Sequence, residues 1–162
     1  AATATIGTAR LSAADADGDA LTYTITTPPT RGRVALAAAP GTAITSFTQA
    51  QLAANAVVYV HDGSETASDG FTFNLRDPSN AGPSGVVFAI TITPVNDAPV
   101  VTAGQVFAID ENSAAGSAVG TAAATDVDNP PTALQAWTIT TNADPDGDST
   151  PAFAISAATG AI

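Results

Sequence analysis

The chain has no cysteine, no methionine and a single histidine, and only 12% of its 162 residues are charged. Lysine is absent too. Each absence removes a class of chemistry. Without cysteine there is no disulfide framework, no thiolate nucleophile and no cysteine-ligated zinc, so a hydrophobic core or an oxygen-bound metal must hold the fold. Four arginines face 15 acidic residues, a formal charge of −11. That balance leaves little to neutralise phosphates, so nucleic acid and anionic membrane surfaces are poor partners. No run approaches the roughly 18 apolar residues of a membrane span, and no membrane insertion is expected. The opening AATATIGTAR lacks the charged-then-apolar pattern of a signal peptide.

What is present reads as β-structure. Apolar residues make up 45% of the chain, broken by 13 glycines and 11 prolines into strand-sized runs. Alternation is clear at Leu21, Tyr23 and Ile25, at Phe71, Phe73 and Leu75, and at Val86, Phe88, Ile90 and Ile92. A period of two with one apolar face is that of a half-buried antiparallel strand. Further strands are expected at 32–38, 56–60, 105–109, 117–124 and 134–140. Turn signals every ten or so residues suit a β-sandwich. One short helix is expected over 49–54, because Thr48 and Gln51 form a capping box ahead of Leu52 and Asn55 is a stop.

The stretch TPVNDAPV at 93–100 places two prolines around Asn96 and Asp97. Proline fixes φ and resists helix and ladder alike, so this is a stiff, extended linker. An internal repeat flanks it. Gly7-Thr8-Ala9 leads to Asp15 and Asp17 and then to Thr24–Thr26; Gly120-Thr121-Ala122 leads to Asp126 and Asp128 and then to Thr138–Thr140. A common plan on both sides of a stiff joint predicts a tandem array. Two domains are expected, 1–98 and 99–162, the first without its opening strand and the second incomplete, as a piece of a longer array would be.

Acidic residues are grouped, and nearly all fall at expected strand ends or in loops. The groups are Asp15, Asp17 and Asp19; Asp62, Glu65 and Asp69; Asp77; Asp97; Asp110 and Glu111; Asp126 and Asp128; and Asp144, Asp146 and Asp148. Like charges this close repel unless a cation sits among them, and six to eight carboxylate and carbonyl oxygens are what Ca²⁺ takes. For a single D-x-D the plain alternative is an Asp-Gly turn, which Asp17-Gly18 and Asp146-Gly147 also fit. Asp144, Asp146 and Asp148 are equally a local Ca²⁺ site or an exposed turn.

Two stretches resemble known families. Residues 3–98 are similar to a chondroitin-sulfate-proteoglycan-type repeat of the cadherin-like superfamily, through RLSAADADGDALTYTITTPPTRGRVAL, SFTQAQL, YVHDGSE and the terminal FAITIT. Residues 100–162 resemble the first part of a bacterial cadherin repeat, through FAIDENSAAGSAVGTAAATDVD and FAISAATGAI. The resemblance implies an all-β fold of tandem immunoglobulin-like, cadherin-like Greek-key β-sandwiches, the second incomplete. It also implies Ca²⁺ at the junctions between repeats. Asp126 and Asp128 match the family's D-x-D, Asn96 and Asp97 its linker ligands, and Glu65 the acidic residue at the base of the preceding repeat. Asp15, Asp17 and Asp77 match the ligands of a junction upstream, and Glu111 the residue serving one downstream. The linker is one residue shorter than the family's usual form, and Thr93 stands where an Asp is common.

Enzyme chemistry finds little support. His61, Asp62 and Ser64 bring triad residue types together, but neighbours on a strand end point in different directions and no G-x-S-x-G surrounds Ser64. The carboxylates lie in polar turns, not in the apolar pocket a general acid needs. The expectation is a non-enzymatic, calcium-stiffened adhesion or extender module of a large bacterial surface or secreted protein, located outside the cell. Its expected partners are neighbouring repeats or other copies of the same protein, assembling into fibres, together with surface glycans or proteins. The alternative is an accessory carbohydrate-binding module of a secreted enzyme.

Overall fold

The described residues form eight strands before residue 94 and two short ones after it, the longest of them built on alternating threonine, valine and phenylalanine. The structure, a computed structural model, describes residues 2–128, 134–142, 149 and 151–162. In chain order the elements are β1 (Thr3–Thr5), β2 (Thr22–Thr27), β3 (Gly32–Leu36), β4 (Ala39–Ala43), β5 (Ser46–Thr48), α1 (Gln49–Ala53), β6 (Val57–His61), β7 (Ser68–Arg76), β8 (Val86–Thr91), β9 (Val100–Val101) and β10 (Ala124–Thr125). Two compact units divide the chain, Ala1–Pro94 and Val95–Ile162.

The first unit is an all-β sandwich. One antiparallel sheet has the order β1-β6-β3-β4 and the other β5-β2-β7-β8. Tyr23, Phe71 and Phe73 project from the second sheet, and Val34, Val57 and Tyr59 from the first, into a single core with Ile6, Phe47 and Leu52. The rings interlock: Tyr23 stacks on Phe47 at 4.9 Å between centroids, and Phe71 on Phe88 at 5.1 Å. Each such side chain removed from water contributes about 1.5–3 kcal/mol, which is why the aromatic alternation fixes the register.

Helix α1 forms as its local sequence dictates. The Thr48 hydroxyl accepts the Gln51 N–H at 3.2 Å, and Gln51 Oε1 accepts the Thr48 N–H at 2.8 Å. Asn55 then takes a positive φ of 53° and stops the helix. Leu52, fully buried, fixes α1 to the core.

Several expectations need correction. Strand β1, which the sequence did not signal, pairs antiparallel with β6, Ala4 opposite Tyr59, and the next residue, Ile6, is buried in the core. Strand β4 runs through Pro40, tolerated because β4 lies at a sheet edge. The short edge strand β5 carries one buried anchor, Phe47, and so shows no alternation.

In the second unit the strands expected at 105–109, 117–124 and 134–140 do not form as such. Only Ala124, in β10, and a bridge from Thr121 to Ala161 carry strand pairing there. Ala136 takes a positive φ within the last of these runs, and Gly104 and Gly116 do so directly ahead of the first two. The Gln105 side chain does the work of a ladder instead, donating to Thr102 O and Ala123 O and accepting the Ala123 N–H at 2.7 Å.

Candidate metal-binding loops

In the first unit two acidic loops share one end of the sandwich, since Thr22 opposes Arg76 and Asp77 follows directly. Asp15, half-buried, accepts the N–H of Asp17 at 2.8 Å and of Asp19 at 3.3 Å through one oxygen. Asp17 is exposed. Asp77 accepts the Ala81 N–H at 2.7 Å, closing the loop back on itself. The Arg76 guanidinium donates to the carbonyls of Leu75, Gly82 and Pro83 and to the Ser84 hydroxyl. Asp15, Asp17 and Asp77 thus lie at one end, but their carboxylate oxygens do not all come within 4.8 Å of one another.

Glu65 lies at the opposite end, in the loop from β6 to β7, and is half-buried. Its acidic neighbours are committed elsewhere. Asp62 accepts both the backbone N–H and the hydroxyl of Ser64, at 2.8 and 2.6 Å, and these bonds hold its carboxyl below the usual range. Asp69 accepts the N–H groups of Thr30 and Arg31 and the Tyr59 hydroxyl. Burial raises its pKa, but the bonds from Tyr59, Thr30, Gly70 and Arg31 outweigh burial and leave the carboxyl lowered. Tyr59 is pushed far up, first by burial and then by its bond to the Asp69 carboxylate. Asp69 is therefore a structural clamp, a role no local pattern signalled because its partners lie on other elements.

The three triad types do not form a triad. The Ser64 hydroxyl is given to Asp62. His61, 8% exposed, places Nε2 at 3.3 Å from Thr66 Oγ1 and accepts the Gly63 N–H on Nδ1.

In the second unit the linker and the D-x-D loop come together. The Asp97 N–H points between the two oxygens of Asp128, at 3.2 and 3.3 Å. Asp126 Oδ1 accepts the Asp128 N–H at 2.9 Å, the same turn that Asp15 makes with Asp17. The Asn96 amide donates to Asp97 O at 2.9 Å. Asp97 is thus bonded to Asp128 across 31 residues of sequence and Asp126 orders the Asp128 turn, but the carboxylate oxygens of Asp97, Asp126 and Asp128 do not all come within 4.8 Å of one another. Glu111 is exposed, in a turn that Ser113 closes on Asp110 O. Asp144, Asp146 and Asp148 lie outside the described residues.

A family described as cadherin-like matches residues 1–92. Among curated proteins, the chain is similar to the extracellular matrix organizing protein FRAS1 of Homo sapiens, 46% identical over 102 residues, which is 59% of this chain and 2% of that protein. It is similar to the FRAS1-related extracellular matrix protein 2 of Homo sapiens, 44% identical over 84 residues, 51% of this chain and 3% of that protein. It is also similar to chondroitin sulfate proteoglycan 4 of Homo sapiens, 44% identical over 92 residues, 56% of this chain and 4% of that protein. The chain therefore spans only a few per cent of the length of these relatives. No solved structure matches it.

Proposed function

The chain belongs to the cadherin-like family, and from that premise we propose that it is a non-enzymatic adhesion or extender module of an extracellular protein, stiffened by Ca²⁺ at its acidic loops. The extracellular placement is supported by the relatives, whose names are those of extracellular matrix proteins and a proteoglycan. No described helix is long and apolar enough to cross a membrane. The absence of cysteine supports a bacterial surface protein as the parent, although the relatives named above are animal proteins.

One observation carries the calcium reading: Asp97 and Asp128 are held together through a backbone hydrogen bond, with Asp126 fixing the Asp128 turn. The donor set is oxygen only, which suits a hard cation. Backbone N–H groups orient the Asp128 and Asp126 carboxylates, whose oxygens are of the kind such a cation takes. Asn96, Asp97, Asp126 and Asp128 would hold the ion. When bound, the cation cancels the repulsion among these carboxylates. Asp97 belongs to the linker and Asp126 and Asp128 to the loop after β10, so the ion would tie linker to loop. Asp15, Asp17 and Asp77 would serve a junction upstream and Glu111 one downstream, while Glu65 keeps the place of the acidic residue at the base of the first repeat. The sugar-platform alternative loses its footing in the first unit, where Tyr23, Phe47, Tyr59, Phe71 and Phe73 are core and Phe88 packs against them.

Calorimetric titration of the chelator-treated chain with Ca²⁺, with Mg²⁺ in parallel, tests the reading. Saturable Ca²⁺ binding that Asp128→Ala weakens is the expected result. Heats indistinguishable from dilution for both ions would overturn it.

A further inference from the structure

The four sheet edges of the first unit differ in how they are protected. A sheet edge carries unpaired N–H and C=O groups, and monomeric proteins blunt it with short strands, proline, bulges or charge. Strands β1 and β5 are three residues each. Strand β4 contains Pro40, whose carbonyl accepts from Arg33 Nε at 2.8 Å, and its pairing with β3 shifts register. Strand β8 has none of these devices. It runs six residues in unbroken register against β7, and the stretch from Gly85 to Thr93 contains no charge.

Register shows which groups point away. The Ile92 N–H donates to Ala67 O at 2.9 Å, so Ile90 and Phe88 turn their backbone groups toward β7 and Val87, Ala89 and Thr91 turn theirs outward. Val87 is 69% exposed. Between β8 and β1 runs a groove with a volume of about 360 Å³, lined by Ile6, Arg10, Tyr59, Phe88 and Ile90 among others, with no acidic residue along it.

We infer that β8 is a self-association edge, which pairs antiparallel with β8 of a second copy about a two-fold axis at Ala89. Charge selects this occupant. Each copy carries −11, so copies repel wherever acidic loops meet. The β8 edge and its groove are free of acid, so two copies can meet there without bringing acidic loops together. The strand is also complementary to itself, because outward Val87 meets outward Thr91 on either side of the paired alanines. Such pairing makes about six new backbone hydrogen bonds and joins two four-stranded sheets into one. The edge is roughly 20 Å long, less than a stable dimer buries, so association is weak and concentration-dependent.

Sedimentation velocity of the full chain from about 10 µM to 1 mM tests this. A monomer–dimer equilibrium lost in Val87→Lys, with circular dichroism unchanged, is expected. Ala89→Pro is a second test, because it removes only an outward N–H. The chain has no cysteine, so Ala89→Cys reports register. Paired Cα atoms about 5.5 Å apart can form a disulfide, whereas Val87→Cys places its thiols too far apart. A chain monomeric throughout that range, a dimer that survives Val87→Lys, or cross-linking of Val87→Cys in preference to Ala89→Cys would each overturn the inference.

Discussion

The Tyr59 hydroxyl donates to Asp69 Oδ2 at 2.7 Å and thereby clips the two sheets of the first unit together, since Tyr59 lies on β6 and Asp69 on β7. The same carboxylate receives the Thr30 and Arg31 N–H groups that lead into β3. Three protein groups therefore depend on one side chain. Asp69→Asn keeps the shape but puts an amide donor among donors, and is expected to cost about 1–3 kcal/mol. Tyr59→Phe, which removes one of several bonds, should cost about 1 kcal/mol. Urea unfolding of the two variants measures both.

The clamp also sets a pH dependence. The Asp69 carboxyl titrates lower when folded than when unfolded, so its contribution is full above the ordinary carboxylate pKa of about 3.9 and fades as pH falls through the lowered value. Tyr59 is shifted up; its contribution is full below about 10 and fades as pH rises above that. Stability measured against pH should fall at both extremes, and Asp69→Asn should flatten the acid limb. An acid limb unchanged in that variant would contradict the assignment.

The capping box of α1 is the most local feature of the fold. Thr48→Ala removes the acceptor for the Gln51 N–H and should cost about 0.5–2 kcal/mol. Leu52→Ala, at a fully buried position, should cost about 2–5 kcal/mol. Thermal melts of both variants should keep this order.

What the sequence shows and what it hides follow from range. The box at Thr48 and Gln51 and the stop at Asn55 depend on neighbours three or four residues away, and both are legible. So are β2, β7 and β8, where a buried face imposes alternation at Tyr23, Phe71, Phe73 and Phe88. Strands β1, β4 and β5 are edges with at most one buried anchor, and nothing in their composition separates them from loop. In the second unit, apolar runs at 105–109 and 134–140 look like strands, but extended character alone does not supply a partner to pair with. At the candidate site, Asp15 with Asp17 and Asp126 with Asp128 are legible as motifs. The bond from Asp97 to Asp128 spans 31 residues and belongs to the fold. Asp69 shows the converse, since its membership of an acidic group suggested a ligand while its partners make it a clamp.

The chain's single tryptophan gives the calcium reading a selective optical test. Trp137 lies in the second unit, and its indole sits at 3.1 Å from where a Cβ on Gly160 would be. Gly160 has φ +70°, so Gly160→Ala adds a left-handed penalty of about 1–2 kcal/mol to a close approach on the ring. It should destabilise the second unit and alter Trp137 emission. Ca²⁺ held by Asp97, Asp126 and Asp128 would bind that unit when folded, and at a hundredfold excess over Kd would stabilise it by about 2.7 kcal/mol. The melting midpoint read by Trp137 fluorescence should therefore rise with Ca²⁺, and Asp128→Ala should abolish the rise. Gly160→Ala should lower the midpoint yet retain the rise, because its defect lies at the indole and not at the carboxylates. A Ca²⁺-dependent shift that disappears in Gly160→Ala and persists in Asp128→Ala would place the ion elsewhere in the chain.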